Sequence, residues 1–255
     1  MIIRVMLPRF HAPAIGVAGD DVALPPDEAR HLVRVMRLGV GDEVAVFDGR
    51  GREYRAQVVE ARKDVARVRL LEPLTPAVEP GVHLTLAQAI LKHEAMDDVV
   101  RDATMMGVST IVPIVSAHVV VRPRAADEAR VVERWQRVAL ASAKQCRRAT
   151  LPEIVDPLNF QQWLTGSTRG LRLMLIEPAA AHVPTRTLHE WLPQAVPAAV
   201  EVVVGPEGGW SRAEVESAMQ VDCVPINLGA LTLRAQSVPL VALALCQFVF
   251  CRGTP

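Results

Sequence analysis

The residues best suited to chemistry lie in the stretch Val202-Val203-Val204-Gly205-Pro206-Glu207-Gly208-Gly209-Trp210-Ser211-Arg212-Ala213-Glu214. Its β-branched start predicts a buried strand. Gly205-Pro206 breaks that strand. Ser211, with Glu214 three residues on, spells a capping box that opens a helix. In α/β sheets, ligands bind at loops between the carboxyl end of a strand and a helix. Glycines at 205, 208 and 209 let a ligand approach the backbone, and Pro206 stiffens the entry. The loop is neither a dinucleotide fingerprint nor a P-loop. Taken alone, it reads equally well as a ligand site or as a tight connection.

A second loop, Ile226-Asn227-Leu228-Gly229-Ala230-Leu231-Thr232-Leu233-Arg234, again runs from a short apolar strand through glycine toward a helix. The pair, GPEGG and LG…LR, resembles the C-terminal domain of the SPOUT superfamily of RNA methyltransferases. Within it, the similarity is closest to the enzymes that methylate N3 of a uridine in 16S rRNA. It extends in the same order through Arg30 to Arg37, Lys92 with Met96, Gly107-Val108, Pro113, Trp135 and Gln145-Cys146 with Arg148.

The resemblance implies S-adenosylmethionine as the cofactor. It would lie bent across three loops: Leu175-Ile176-Glu177; Gly205-Pro206-Glu207-Gly208-Gly209; and Leu228 to Leu233. Mostly backbone groups would hold the adenine, Gly229 among them, with Leu228 and Leu233 as apolar walls. It also implies 16S rRNA or the small ribosomal subunit as partner, a homodimer, and a cytoplasmic site of action. The acceptor nitrogen of uracil must lose a proton, and a fixed guanidinium would favour the resulting anion. Arg234 is the candidate for that role, with a structural salt bridge as the alternative. The target base must be accessible or turned out of its stack.

The chain also departs from the family pattern. Where the family reads LGPRILRTETA, this chain runs from Leu228 to Val238 with Leu231 for an arginine, Ala235 for a threonine and Gln236 for a glutamate. Gln236 keeps the shape of the glutamate but cannot act as a general base. Asp102 and Met105 replace a lysine and a glutamate, and Ala117-His118 replaces a Glu-Arg pair. Two rivals stay open on these grounds. One is a paralogue that methylates another RNA nucleotide; the other is a catalytically weak RNA-binding or ribosome-assembly protein.

The elements that must position these residues follow from the rest of the chain. At 255 residues, half of them hydrophobic, the sequence suits one large or two modest domains with a sizeable core. Basic and acidic residues balance at 28 each, so net charge points to no partner. Cys146, Cys223, Cys246 and Cys251 lack metal-ligand spacing, which argues against zinc and for reduced thiols. The first residues do not read as a signal peptide. The apolar run Val238 to Phe250 is too short to span a bilayer.

Residues 1–73 read as a small β-barrel, which the resemblance makes a PUA-like RNA-binding module. Strands are expected at Ile2 to Met6, Val44 to Phe47, Tyr54 to Val59 and Val65 to Leu71, with a hairpin at Asp48-Gly49-Arg50-Gly51. A helix over Asp27 to Leu38 would put His31, Arg34 and Arg37 on one face, either solvated or touching RNA phosphate. Residues 74–81 form the linker. Residues 82–255 alternate strand and helix, which predicts βαβ units and a parallel sheet. The resemblance adds a C-terminal trefoil knot.

Strands are expected at Leu84 to Ile90, Ser109 to Val115, Leu171 to Glu177 and Glu201 to Val204, and helices at Glu94 to Met106 and Pro184 to Pro197. The stretch Arg122 to Arg148 reads as a basic helix buried through Trp135, Val138, Leu140 and Ala141. Lys144, Arg147 and Arg148 at its end either complement the helix dipole or meet rRNA. The last helix, from about Gln236 to Phe250, is apolar on nearly every face, so it lies in the core or forms a dimer contact.

Overall fold

The computed structural model describes residues 7–122, 126–166, 170–180, 183–191 and 195–251. The strand expected at Ile2 to Met6 lies outside the described residues. The chain forms two compact units. The first comprises the residues up to Val78 together with Ala143–Leu151, and the second comprises the rest.

The first unit carries β1 (Arg9–His11), β2 (Asp21–Ala23), α1 (Pro26–Arg30), β3 (Glu43–Phe47), β4 (Glu53–Arg62) and β5 (Val65–Pro73). They form one five-stranded sheet in the order β1-β3-β4-β5-β2. β1 runs parallel to β3, and the other pairings are antiparallel. Alternation turns Val44, Val46, Ala56, Val58, Val68 and Leu70 onto Phe10 and Leu32 in the core. The hairpin forms as expected. Asp48 Oδ1 accepts from the N–H groups of Arg50 (2.8 Å) and Arg52 (3.0 Å), and Gly49 and Gly51 take φ of 77° and 102°.

The expected Asp27–Leu38 helix is interrupted. After α1 the chain widens into a π-helical turn, His31–Val35, and Arg37 leaves it at φ 55°. His31, Arg34 and Arg37 therefore do not share one helical face. The helix Glu128–Cys146 contributes its last turn to this unit. Arg9, 8% exposed, donates through Nε to Glu53 (2.8 Å). Its Nη1 reaches the carbonyls of Ala143 (2.8 Å) and Lys144 (3.2 Å), and its Nη2 reaches that of Arg148 (3.0 Å). It so satisfies carbonyls that a helix end leaves without partners.

The second unit is built on an eight-stranded sheet: β6 (His83–Ala89), β7 (Thr110–Val115), β8 (Glu153–Ile154), β9 (Leu158–Asn159), β10 (Leu171–Leu175), β11 (Arg186–Thr187), β12 (Ala199–Val204) and β13 (Val224–Asn227). The order is β11-β13-β10-β12-β6-β7-β8, with β9 also on β7, and every pairing is parallel. Helices α2 (Glu94–Met105), α3 (Glu128–Cys146), α4 (Phe160–Thr165), α5 (Arg212–Met219) and α6 (Val238–Phe250) complete it. Both faces of the sheet are covered, which is why its strands read as unbroken apolar runs. Leu84, Leu86, Leu173, Val202 and Val204 pack with residues of α2, α3 and α6. Ala87, Ile114, Met174 and Val203 pack with Phe160, Trp163 and Val215.

Two expectations are corrected here. No helix forms among the described residues of Pro184 to Pro197: Arg186–Thr187 pairs with β13 instead. There Thr187 and Glu190 bond reciprocally, as a helix cap would, around a turn. In α3 the buried stripe is Val132, Trp135, Ala139 and Ala143, at spacings of three and four; Val138 and Leu140 are half-buried and Ala141 is exposed. In α6, Ala242, Leu243, Cys246 and Phe250 are buried, while Leu240, Val241 and Leu245 are partly exposed and Phe248 is 86% exposed.

Candidate active site

The segments that follow β10, β12 and β13 leave the sheet at its carboxyl edge and line one open cleft. The first contributes Leu175, Ile176, Glu177 and Pro178; the second Gly205, Pro206, Glu207, Gly209 and Trp210; the third Leu228, Leu231, Thr232, Leu233 and Ala235. Nine of the eleven residues expected at the cofactor are therefore brought together. Gly208 and Gly229 do not line the cleft. Gly208 faces His118, and Gly229 takes φ 110° in a turn where its N–H donates to Asn227 Oδ1 (3.0 Å).

The second loop is held on every side. Ser211 and Glu214 form the expected capping box at the start of α5. Gly209 N–H donates to Pro206 O (2.9 Å), which closes a turn with Gly209 at φ 66°. Glu207 Oε1 accepts from the N–H of Lys92 (3.1 Å). Trp210 Nε1 donates to Leu175 O (3.1 Å), tying the second loop to the first. A Cβ at Gly205 would sit 3.2 Å from the Trp210 ring. A side chain at 205 would therefore press on the indole as well as on a bound ligand. Thr232 Oγ1 donates to Glu177 Oε1 (2.6 Å), joining the first loop to the third.

Trp210 and the backbone of Lys92 were not among the residues expected at the site, and Thr232 was expected only as part of the loop from Leu228 to Leu233. Trp210 directly follows GPEGG, so its position was a usable signal. The bond from Thr232 to Glu177 had no signal, since the partners lie 55 residues apart.

Arg234 and Gln236 flank the cleft without lining it, although Leu233 and Ala235 beside them do. The Arg234 side chain is exposed and makes no ion pair among the described residues, so the structural salt bridge offered as its alternative is not formed there. Its carbonyl accepts from the N–H groups of Ser237 (2.8 Å) and Val238 (3.3 Å), which fixes the backbone just before α6.

The basic residues expected to meet RNA are divided. Arg34, Arg37 and Arg147 are exposed, and Arg34 pairs with Asp64 (3.0 Å). Lys144 instead turns inward onto Glu28 (2.8 Å) and lies 3.2 Å from His31 Nδ1. Burial, and then the Lys144 cation, hold the His31 imidazole below its usual pKa. Arg148 is 5% exposed. Lys144, Arg148 and His31 are thus committed to packing within the first unit.

Among the described residues no group of His, Cys, Asp and Glu is placed to hold a metal ion. Burial pushes the Cys223 and Cys246 thiols up to about 11 and about 12, which leaves them unreactive.

Comparison with known proteins agrees with this geometry. Residues 78–247 match a family described as an RNA methyltransferase domain, and residues 24–71 match an RNA methyltransferase PUA domain. Ribosomal RNA small subunit methyltransferase E of Synechocystis is 32% identical over 224 residues, covering 88% of this chain and 71% of that protein. The Bacillus subtilis protein of the same name is 25% identical, over 93% of this chain and 91% of its own. The crystal structure of the Neisseria gonorrhoeae protein bound to S-adenosyl methionine superposes with a TM-score of 0.85 at 27% identity, over 96% of this chain and 98% of that one. With both the domain model and a relative 32% identical over most of its length matching in this way, the chain belongs to the ribosomal RNA small subunit methyltransferase E family of RNA methyltransferases.

Proposed function

We propose that the protein uses S-adenosylmethionine to methylate N3 of a uridine in the 16S rRNA of the small ribosomal subunit. The observation that carries this is the convergence of three separate loops on one cleft whose walls suit that cofactor. Ile176, Val204, Leu228 and Leu233 offer apolar surface for an adenine ring. Among the described residues, the only charged side chains lining the cleft are the carboxylates of Glu177 and Glu207, which favour a cationic ligand. With few polar side chains present, backbone groups of the three loops supply the remaining contacts. When bound, the cofactor offers a methyl group activated on a sulfonium.

The chain's own residues then have four tasks. The loops hold the cofactor and exclude water from its apolar side. Arg234, which makes no ion pair among the described residues, meets the carbonyl oxygens of uracil and stabilises the N3 anion. Gln236 orients the base or the loop without taking a proton, and the N3 proton passes to water. Exposed cations such as Arg34, Arg37 and Arg147 bind phosphate.

The same reading includes a closed PUA-like barrel over residues 1–73, a linker at 74–81, a methyltransferase domain at 82–255 with a C-terminal trefoil knot, and work in the cytoplasm, where ribosomal subunits are found. It also includes a homodimer through α6, supported by the open apolar row of Leu240, Val241, Leu245 and Phe248.

The test is transfer of labelled methyl from S-adenosylmethionine to unmethylated small subunits, followed by mapping of the modified base. Label on N3 of a 16S uridine is expected. Label on another nucleotide would favour a paralogous target, and no label at all would overturn the assignment.

A further inference from the structure

The turn Pro206–Gly209 forms one wall of the cleft, yet its outer side touches a residue that the resemblance gives no role. His118 lies on the segment after β7, where the family pattern has an arginine. Its Nδ1 is 3.0 Å from the carbonyl oxygen of Gly208 and 3.1 Å from that of Gly209. A carbonyl oxygen only accepts, so Nδ1 carries a proton and donates to both. The approach is close: a Cβ on Gly208 would stand 3.0 Å from His118 Cβ.

The segment bearing His118 is itself fixed. Ala117 N–H donates to Glu214 Oε1 (2.8 Å), while Glu214 Oε2 holds Ser211 at the start of α5. Val119 beside it is buried, and its N–H closes a turn onto Ser116 O (3.3 Å).

This arrangement orients one further group. A trans peptide points its C=O and N–H in opposite directions. Drawing the Gly209 carbonyl toward His118 therefore turns the Trp210 N–H away from His118. That N–H has no partner among the described residues, and Trp210 lines the cleft. The geometry points to His118 as a positioning residue. Its Nδ1–H holds the Gly208 and Gly209 carbonyls on the outer side of the turn and so leaves the Trp210 backbone donor for the cofactor. The cofactor part of this inference rests on the proposed function; the hold on the turn does not.

The test compares His118→Ala with His118→Asn, whose amide nitrogen can stand where Nδ1 stands. Three readouts are taken on the full chain: amide exchange over residues 205–210 without ligand, calorimetric affinity for S-adenosylmethionine, and the ring 15N shifts of His118 at pH 8. His118→Ala should speed exchange at Gly209, whose N–H closes the turn onto Pro206 O, and weaken cofactor binding, each by about tenfold, the scale of a lost hydrogen bond. His118→Asn should restore most of both, and the shifts should report the Nδ1-protonated tautomer. Unchanged exchange in His118→Ala, a folded His118→Asn no better than Ala, or the Nε2-protonated tautomer would each overturn the role. If exchange responds but the wild-type protein binds no S-adenosylmethionine, the hold on the turn stands and the proposed function falls.

Discussion

Thr232 Oγ1 donates to Glu177 Oε1 at 2.6 Å and so bridges two of the three loops around the cleft. Both side chains are exposed, so the bond adds little to global stability. Its effect is local, on the arrangement of the two loops. Thr232→Val should leave the melting temperature within a few degrees of wild type and weaken S-adenosylmethionine binding several-fold. Thr232→Ser should keep wild-type affinity. Calorimetry on the three proteins decides it, and equal affinities would show that the bridge does not shape the site.

Gly205→Val drives a branched side chain into the Trp210 ring, since even a bare Cβ at this position would stand only 3.2 Å from it. The indole must shift, and its bond to Leu175 O goes with it. Overpacking of this kind costs about 1–3 kcal/mol. We expect lost cofactor binding together with a lowered urea midpoint. Lost binding at unchanged stability would instead indicate a direct clash with the ligand.

Arg234→Ala should slow methyl transfer about a hundredfold, the scale of one lost transition-state donor. Cofactor affinity should not change, because the side chain does not line the cleft. Arg234→Lys should recover little, since a point charge does not reproduce a forked contact. Gln236→Glu should be near neutral in the same assay; a large gain in rate would show that the position calls for a base.

Burial lowers the pKa of both His11 and His31, and the Lys144 cation adds to the effect at His31. A histidine whose folded pKa is depressed binds fewer protons in the folded state than in the unfolded one. Stability is therefore complete above the unfolded value of about 6.5 and falls as pH drops below it. Urea midpoints at pH 7.5, 6.5 and 5.5 should decrease in that order, and His31→Asn should flatten the decline. A pH-independent midpoint would contradict this coupling.

Phe248 stands 86% exposed on α6. Phe248→Glu should convert a sedimenting dimer into a folded monomer at micromolar concentration. A wild-type protein that already sediments as a monomer would remove α6 from any interface.

Much of this was legible in the sequence because it depends on local chemistry. The Ser211–Glu214 cap, the Asp48–Gly51 hairpin and the parallel strands each follow from a few neighbouring residues. The cleft was legible through its glycines and leucines. What escaped depends on distant partners. Lys144 and Arg148 read as surface cations until Glu28 and the N-terminal sheet are seen to enclose them. Arg37 shares the three-residue spacing of a helix face, but the π-turn ends before it. Thr187 and Glu190 carry the signature of a helix start, yet pairing of Arg186–Thr187 with β13 overrides it.

The Arg9 guanidinium spans the chain: it binds Glu53 nearby in the sheet and carbonyls as far along as Arg148. The first unit is thus assembled from the residues up to Val78 and from Ala143–Leu151, with 64 residues of the second unit between them. During vectorial synthesis the amino-terminal module emerges first but stays unfinished until residue 151 has left the exit tunnel. A fragment cut at the linker would leave the buried Arg9–Glu53 pair without three of its carbonyl acceptors. To be studied or transplanted alone, this module must bring the distant nine-residue segment with it.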